Sequence, residues 1–246
     1  MPPLIFKITP LNPLKYFIYL SSAAVIITSL FFDLKYLSIV LPISLVFIIV
    51  PYLYEIFSRR LNMPNIYFLV SVVCLMIADY MIYTDFTKNF SYICICIFLY
   101  TILSSLALKE YVFEIKIKWK NALSYPFIIA SLLICYLIFS FSSLIIDVLP
   151  DSKLIISLPV TGLIIYYLVS YYLYVSDAYR YGIKLLVAII TCVAIVALTS
   201  MNQLYLQCDS CTLFIALGHI LGIYIFMRFL VIQDPKDVQD VIKHDL

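Results

Sequence analysis

Two side chains stand out as chemically able groups in apolar surroundings, Asp79 and His219. Asp79 follows Ala78 in the stretch 66–83, which holds no other charged residue. His219 lies between Gly218 and Gly222, a GxxxG spacing that lets a second helix approach closely. A carboxyl and an imidazole are the groups that general acid–base chemistry uses most, because each can hold or release a proton in a reacting complex. Each also has a purely structural reading. Asp79 can be an interfacial carboxylate that reaches headgroup water, and His219 can hydrogen-bond across a helix interface. Tyr100, and Thr199, Ser200, Asn202 and Gln203 at the end of the stretch 182–201, are expected at a similar depth. The pattern allows one outward-opening polar cavity, with Asp79 and His219 as acid–base groups and Tyr100, Ser200 and Asn202 as substrate contacts.

Other candidates are weaker as chemistry. Cys208 and Cys211 have CxxC spacing and would form a small disulfide on an oxidising side. A redox or metal site would need partners, and the sequence holds no second CxxC and no HxxxH, so no metal is expected. Arg228 is expected to snorkel to lipid phosphate, and Tyr166, Tyr167, Tyr171, Tyr172 and Tyr174 to act as interfacial anchors. There is no phosphate-binding glycine loop, GxSxG elbow, HExxH or dinucleotide fingerprint, so no cofactor is expected. Lys184 falls near a helix end, which leaves a retinal-type Schiff base unsupported.

The elements that must position these residues follow from composition. Of 246 residues, 65% are hydrophobic and only 12% charged, with a mean hydropathy of +1.08. A soluble domain needs roughly a quarter of its residues charged, so a water-soluble globule is excluded. A formal charge of +2 gives no footprint for nucleic acid. A bilayer core ~30 Å thick needs roughly 20 apolar residues per helical crossing. Eight such stretches are legible, at 16–32, 36–54, 66–83, 91–108, 125–147, 154–175, 182–201 and 212–232. The first is too long for a signal-peptide core and lacks a small-residue cleavage site. None alternates as a barrel strand does. The expected fold is therefore an all-α integral membrane protein of eight transmembrane helices in a single domain, 1–246.

Lys and Arg in short loops stay cytoplasmic. With a cytoplasmic N-terminus, only Lys35, Lys88 and Lys153 of the 16 basic residues fall outside. Both termini are thus expected inside, in a plasma or inner membrane, with 233–246 as a short cytoplasmic tail. The basic loop from Lys109 to Lys120, which contains Trp119, reads as a solvated topology determinant or a short interfacial helix. Leu41, Pro42, Ile43 and Ser44 resemble Leu158, Pro159, Val160 and Thr161, the mark of a possible four-plus-four parallel repeat. Pro51 has no such counterpart.

In layout, with Ala78-Asp79 late in the third span, Tyr100 in the fourth and Thr199-Ser200-Met201-Asn202 late in the seventh, the chain resembles the YhhN-like lysoplasmalogenase family. That family typically carries Gly-Asp in the third helix, an aromatic or histidine in the fourth and Ser-Asp in the seventh. Ala78-Asp79 matches the first motif closely, and Tyr100 falls where a histidine is expected. The aspartate of the seventh-helix motif is missing. The resemblance implies hydrolysis of the vinyl-ether bond of a single-chain ether lysolipid by two acid–base groups. Asp79 would be the acid, and His219 would have to replace the absent carboxylate. A family member that only binds such a lipid is equally consistent with the departure. The alternatives from other classes are a small-solute or proton-coupled transporter, with Asp79 and His219 as relay, and a non-catalytic membrane scaffold. Membrane lipids are the expected partners in the first reading, and nucleic acid in none.

Overall fold

The computed structural model describes residues 13–31, 36–58, 64–113, 125–176 and 178–235. Every regular element among them is helical, as a chain must be whose backbone polar groups have to be satisfied inside lipid. In chain order the helices are α1 (Pro13–Phe31), α2 (Leu37–Ser58), α3 (Ile66–Ala107), the short α4 (Lys109–Phe113), α5 (Tyr125–Val148), α6 (Lys153–Val175), α7 (Gly182–Met201) and α8 (Asp209–Ile232). A 3-10 turn at Pro150–Ser152 leads into α6, and a π-helical turn at Asn202–Leu206 follows α7. Among the described residues, 6 helices are long and apolar enough to cross a membrane. The chain is a multi-pass, all-helical membrane protein by length and composition of these helices.

The 42-residue α3 is not one rod. Asp85 alone leaves helical geometry, at φ −161° and ψ 95°. Its carboxylate accepts the Lys88 backbone N–H at 3.0 Å, the bond of an N-cap to the third residue of a new helix. The Thr84 hydroxyl bonds back to the Tyr80 carbonyl and closes the preceding turn. The two legs, 66–84 and 86–107, fold back on each other: at their far ends the Asn65 side-chain amide donates to the Ala107 carbonyl at 2.8 Å. Each leg is about 30 Å long at the helical rise, the thickness of a bilayer core. The sequence expectation of a loop over 84–90 is therefore corrected. One capped residue makes the turn, and Phe86 and Phe90, buried and edge to face with centroids 5.5 Å apart, hold the restarted helix inside the bundle.

Packing runs chiefly between α3 and α6, α7 and α8, α1 and α2, α2 and α3, and α6 and α7. Gly162 of α6 sits directly against Thr101 and Phe98 on the second leg of α3, where a methyl group would meet the Thr101 hydroxyl. Large apolar side chains point outward as well as inward: Leu132, Tyr136 and Phe139 of α5 are more than half exposed. This is the surface of a protein meant for lipid. At the end where α3 and α8 finish, Tyr111 donates to the Gln233 carbonyl at 2.8 Å and its own carbonyl accepts from Tyr179 at 3.0 Å. Burial holds the Tyr111 hydroxyl above its ordinary pKa, so it stays a donor. Lys7, Lys35, Arg59, Arg60, Trp119 and the tail beyond 235 lie outside the described residues.

Candidate functional site

Asp79 lies six residues before Asp85, about 9 Å from the turn of α3. Its side chain is 2% exposed, and Oδ1 is 3.3 Å from Nδ1 of His219, itself 12% exposed. Oδ2 has no hydrogen-bond partner among the described residues. The glycines beside His219 explain how the imidazole reaches this point. A Cβ on Gly218 would stand 2.6 Å from Ile195 Cδ1, and one on Gly222 would stand 3.3 Å from Thr191 Cγ2. The small-residue stripe therefore faces α7, and His219, one position around the helix from Gly218, turns toward α3.

The pair opens into a cavity of about 880 Å³, counted out to its mouth, walled by α3, α5, α6, α7 and α8. Its length is lined by apolar side chains such as Leu75, Ile82, Phe90, Ile93, Phe141 and Ile156. Tyr100 lines the same cavity but not at the depth expected. Because the second leg begins at 86, Tyr100 lies about 22 Å along it from the turn, about 13 Å farther from the turn than Asp79. Side chains lean toward the N-terminus of their own helix, and the two legs run opposite ways, so Asp79 and Tyr100 lean toward each other. The Tyr100 hydroxyl neighbours Ser104 and Cys192 and lies within electrostatic reach of Asp79 and Tyr166.

Ser200 also lines the cavity, with its hydroxyl donated to the Val196 carbonyl at 3.0 Å, so its oxygen is left to accept. Asn202 does not line it. Its amide donates to Thr212 Oγ1 at 2.8 Å and its carbonyl oxygen accepts the Cys208 N–H at 2.9 Å, which ties the π turn to the start of α8. This turn ends at Gln207, which is left-handed at φ 46°. A substrate contact at Asn202 is thus replaced by a role in closing the turn. Cys208 and Cys211 are free thiols, and Cys208 Sγ accepts the Cys211 N–H at 3.4 Å as the cap of α8. The bond from the Cys211 thiol lowers the Cys208 thiol below its ordinary pKa.

The tyrosines of α6 are also redistributed. Tyr166, Tyr167 and Tyr171 are buried, Tyr166 edge to face on Phe226 at 5.7 Å and Tyr167 paired to Ser131 at 2.9 Å. Tyr174 is exposed. Spacings of four and five residues place the first three on the inward face, which interfacial composition alone does not distinguish. Sequence reasoning missed Thr191 and Cys192 as cavity residues. A signal was present: Ala188, Thr191, Cys192, Ile195 and Thr199 recur at helical spacing on one face of α7.

Among the described residues no group of three His, Cys, Asp or Glu side chains is placed to hold a metal ion. What remains is a carboxyl–imidazole pair with one bare oxygen at the wall of a long apolar cavity. Such a pair can hold a proton and release it onto a bound apolar molecule. Comparison with family models, curated protein sequences and solved structures finds no match to this chain.

Proposed function

We propose that this is an eight-span membrane protein that binds and hydrolyses a single-chain vinyl-ether lysolipid, with Asp79 and His219 as its acid–base pair. The crossings are α1, α2, the two legs of α3, α5, α6, α7 and α8, with both termini cytoplasmic. Support for a four-plus-four repeat comes from matched contacts. The second span packs on the eighth, α2 on α8, as the sixth packs on the fourth, α6 on the later leg of α3. In this arrangement Asp79 faces a cavity near the outer leaflet.

The observation that carries the reading is the carboxyl of Asp79, in contact through one oxygen with His219 and bare at the other, partway along the wall of a mostly apolar cavity. One alkyl chain suits such a cavity, and the vinyl ether is the bond at its polar end. Asp79 Oδ2 gives its proton to the vinyl carbon remote from oxygen, and the electron pair of C=C forms the new C–H bond. The resulting oxocarbenium ion is attacked by water at the carbon that bears oxygen. His219 takes at Nε2 the proton that this water loses and passes its Nδ1 proton to Asp79 Oδ1, so the carboxyl is neutral again, and proton exchange with water returns the acid proton to Oδ2 and the imidazole to its first tautomer. The hemiacetal then collapses to an aldehyde and a free glycerol hydroxyl. Tyr100 and Ser200 line the wall as polar contacts for the substrate, a role Ser200 fills as acceptor.

The test is aldehyde release from a vinyl-ether lysolipid by the purified protein in detergent, beside an alkyl-ether analogue that cannot be protonated to the cation. Wild type should release aldehyde from the first only, and Asp79→Asn should lose the activity by at least about 100-fold, the usual contribution of a general acid. Unchanged release in Asp79→Asn would exclude this mechanism. Solute uptake in proteoliposomes without any lipid turnover would move the pair to a proton-coupled carrier.

A further inference from the structure

On the lipid-facing side of the α7–α8 hairpin, Ile183, Lys184, Val187, Tyr224, Ile225 and Arg228 line an open groove of about 600 Å³. It lies at the start of α7 and the end of α8, the end of the bundle opposite Asp79. The register of the hairpin makes the groove continuous: Gly222 meets Thr191 and the Ala188 carbonyl, so the residues after 222 run back alongside those before 188. Ile183 and Val187 are exposed and leave an apolar track one turn long between them.

Two cations stand at its mouth. Lys184 and Arg228 line the same groove, close enough to repel each other, and among the described residues no carboxylate is paired with either. Lys184 is held over the Tyr181 ring at 4.2 Å, with Arg180 beside the same ring at 5.8 Å. Like charges side by side, with no carboxylate on them among the described residues, favour an anion brought from outside the fold. A cation that only snorkels would need neither a groove nor a second cation facing it across a helix interface.

We propose that this groove binds one anionic membrane phospholipid, its phosphate between Lys184 and Arg228 and an acyl chain along Ile183, Val187 and Ile225. Charge complementarity selects the occupant: a zwitterionic headgroup brings its own cation against the two already present. The site is separate from the cavity of Asp79 and stands whether or not the chain is a hydrolase. Its place at the end richest in Lys and Arg puts the lipid in the leaflet where anionic headgroups concentrate.

The experiment is a titration of the full-length protein in detergent with phosphatidylglycerol, phosphatidylcholine and sodium phosphate, read by the thermal unfolding midpoint. At roughly five- to sixfold per cation, phosphatidylglycerol should bind wild type roughly 30-fold more tightly than phosphatidylcholine. Lys184→Gln with Arg228→Gln should bring phosphatidylglycerol to the level of phosphatidylcholine. Val187→Trp keeps both cations and fills the track, and it should also weaken phosphatidylglycerol, which decides the matter if the double variant fails to fold. Sodium phosphate at matched concentration should leave the midpoint unmoved. A preference for phosphatidylglycerol that survives in these variants would overturn the site. A sodium phosphate shift equal to that of phosphatidylglycerol would overturn the lipid as its occupant.

Discussion

Replacing His219 by Leu should destabilise the protein more than replacing His219 and Asp79 together. Asp79 is 2% exposed, and its Oδ1 loses the 3.3 Å contact to Nδ1 while Oδ2 already lacks a partner among the described residues. The single variant thus leaves a carboxyl with both oxygens bare inside the bundle. The Asp79→Leu, His219→Leu double variant removes that group and fills the space with carbon. Neutral hydrogen bonds between membrane helices couple by ~0.6 kcal/mol on average and ~1.7 at most. Breaking a fully buried ion pair in a soluble protein costs about 3–5 kcal/mol. The pair here should fall between them, at about 2 kcal/mol, because the 3.3 Å separation is longer than an ideal N–H···O bond and the cavity admits some water. The assay is a double-mutant cycle on reversible unfolding in mixed detergent, with four proteins measured at one lipid concentration. An interaction energy near 2 kcal/mol is about 30-fold in the equilibrium constant and well outside measurement error. Additivity of the two single variants to within ~0.5 kcal/mol would refute the pairing, since that is how independent sites behave.

Two further outcomes follow from the turns at the ends of helices. Asp85→Ala should cost about 1 kcal/mol by removing the cap on Lys88 N–H, and Asp85→Ser should recover most of it; an equal loss in both, by thermal unfolding, would mean that the cap contributes nothing. Cys208 should be alkylated faster than the buried Cys94 by a water-soluble maleimide, and the lowered thiol pKa means that its rate begins to rise at a lower pH than that of an ordinary exposed cysteine. Peptide mass spectrometry over a pH series measures both, and a Cys208 profile displaced to higher pH would contradict the thiol bond from Cys211.

Much of the architecture was legible because a membrane constrains a sequence more tightly than water does. Long apolar runs must be helices, and their length is set by bilayer thickness, so α2, α5, α6 and α7 fall within a few residues of expectation. The turn at Asp85 was not legible. A cluster of polar residues from Thr84 to Asn89 reads as a loop in one dimension, whereas one N-capping carboxylate and two buried phenylalanines keep nearly all of it helical. That shift moved Tyr100 away from the level of Asp79.

The sequence by itself determined which groups can do chemistry: it has few charges, and a carboxylate or an imidazole inside an apolar helix stands apart from everything around it. Only the tertiary structure decided which of them meet. A helix can rotate about its axis without changing its hydropathy, and one residue of rotation moves a side chain by about 100°. The close contact of Gly218 and Gly222 with α7 fixed that angle for α8 and aimed His219 at Asp79, while the left-handed turn at Gln207 drew Asn202 into hydrogen bonds away from the cavity. Depth is a property of length and can be counted along a chain, but facing depends on the shape of the neighbouring helix and exists only once the bundle has packed.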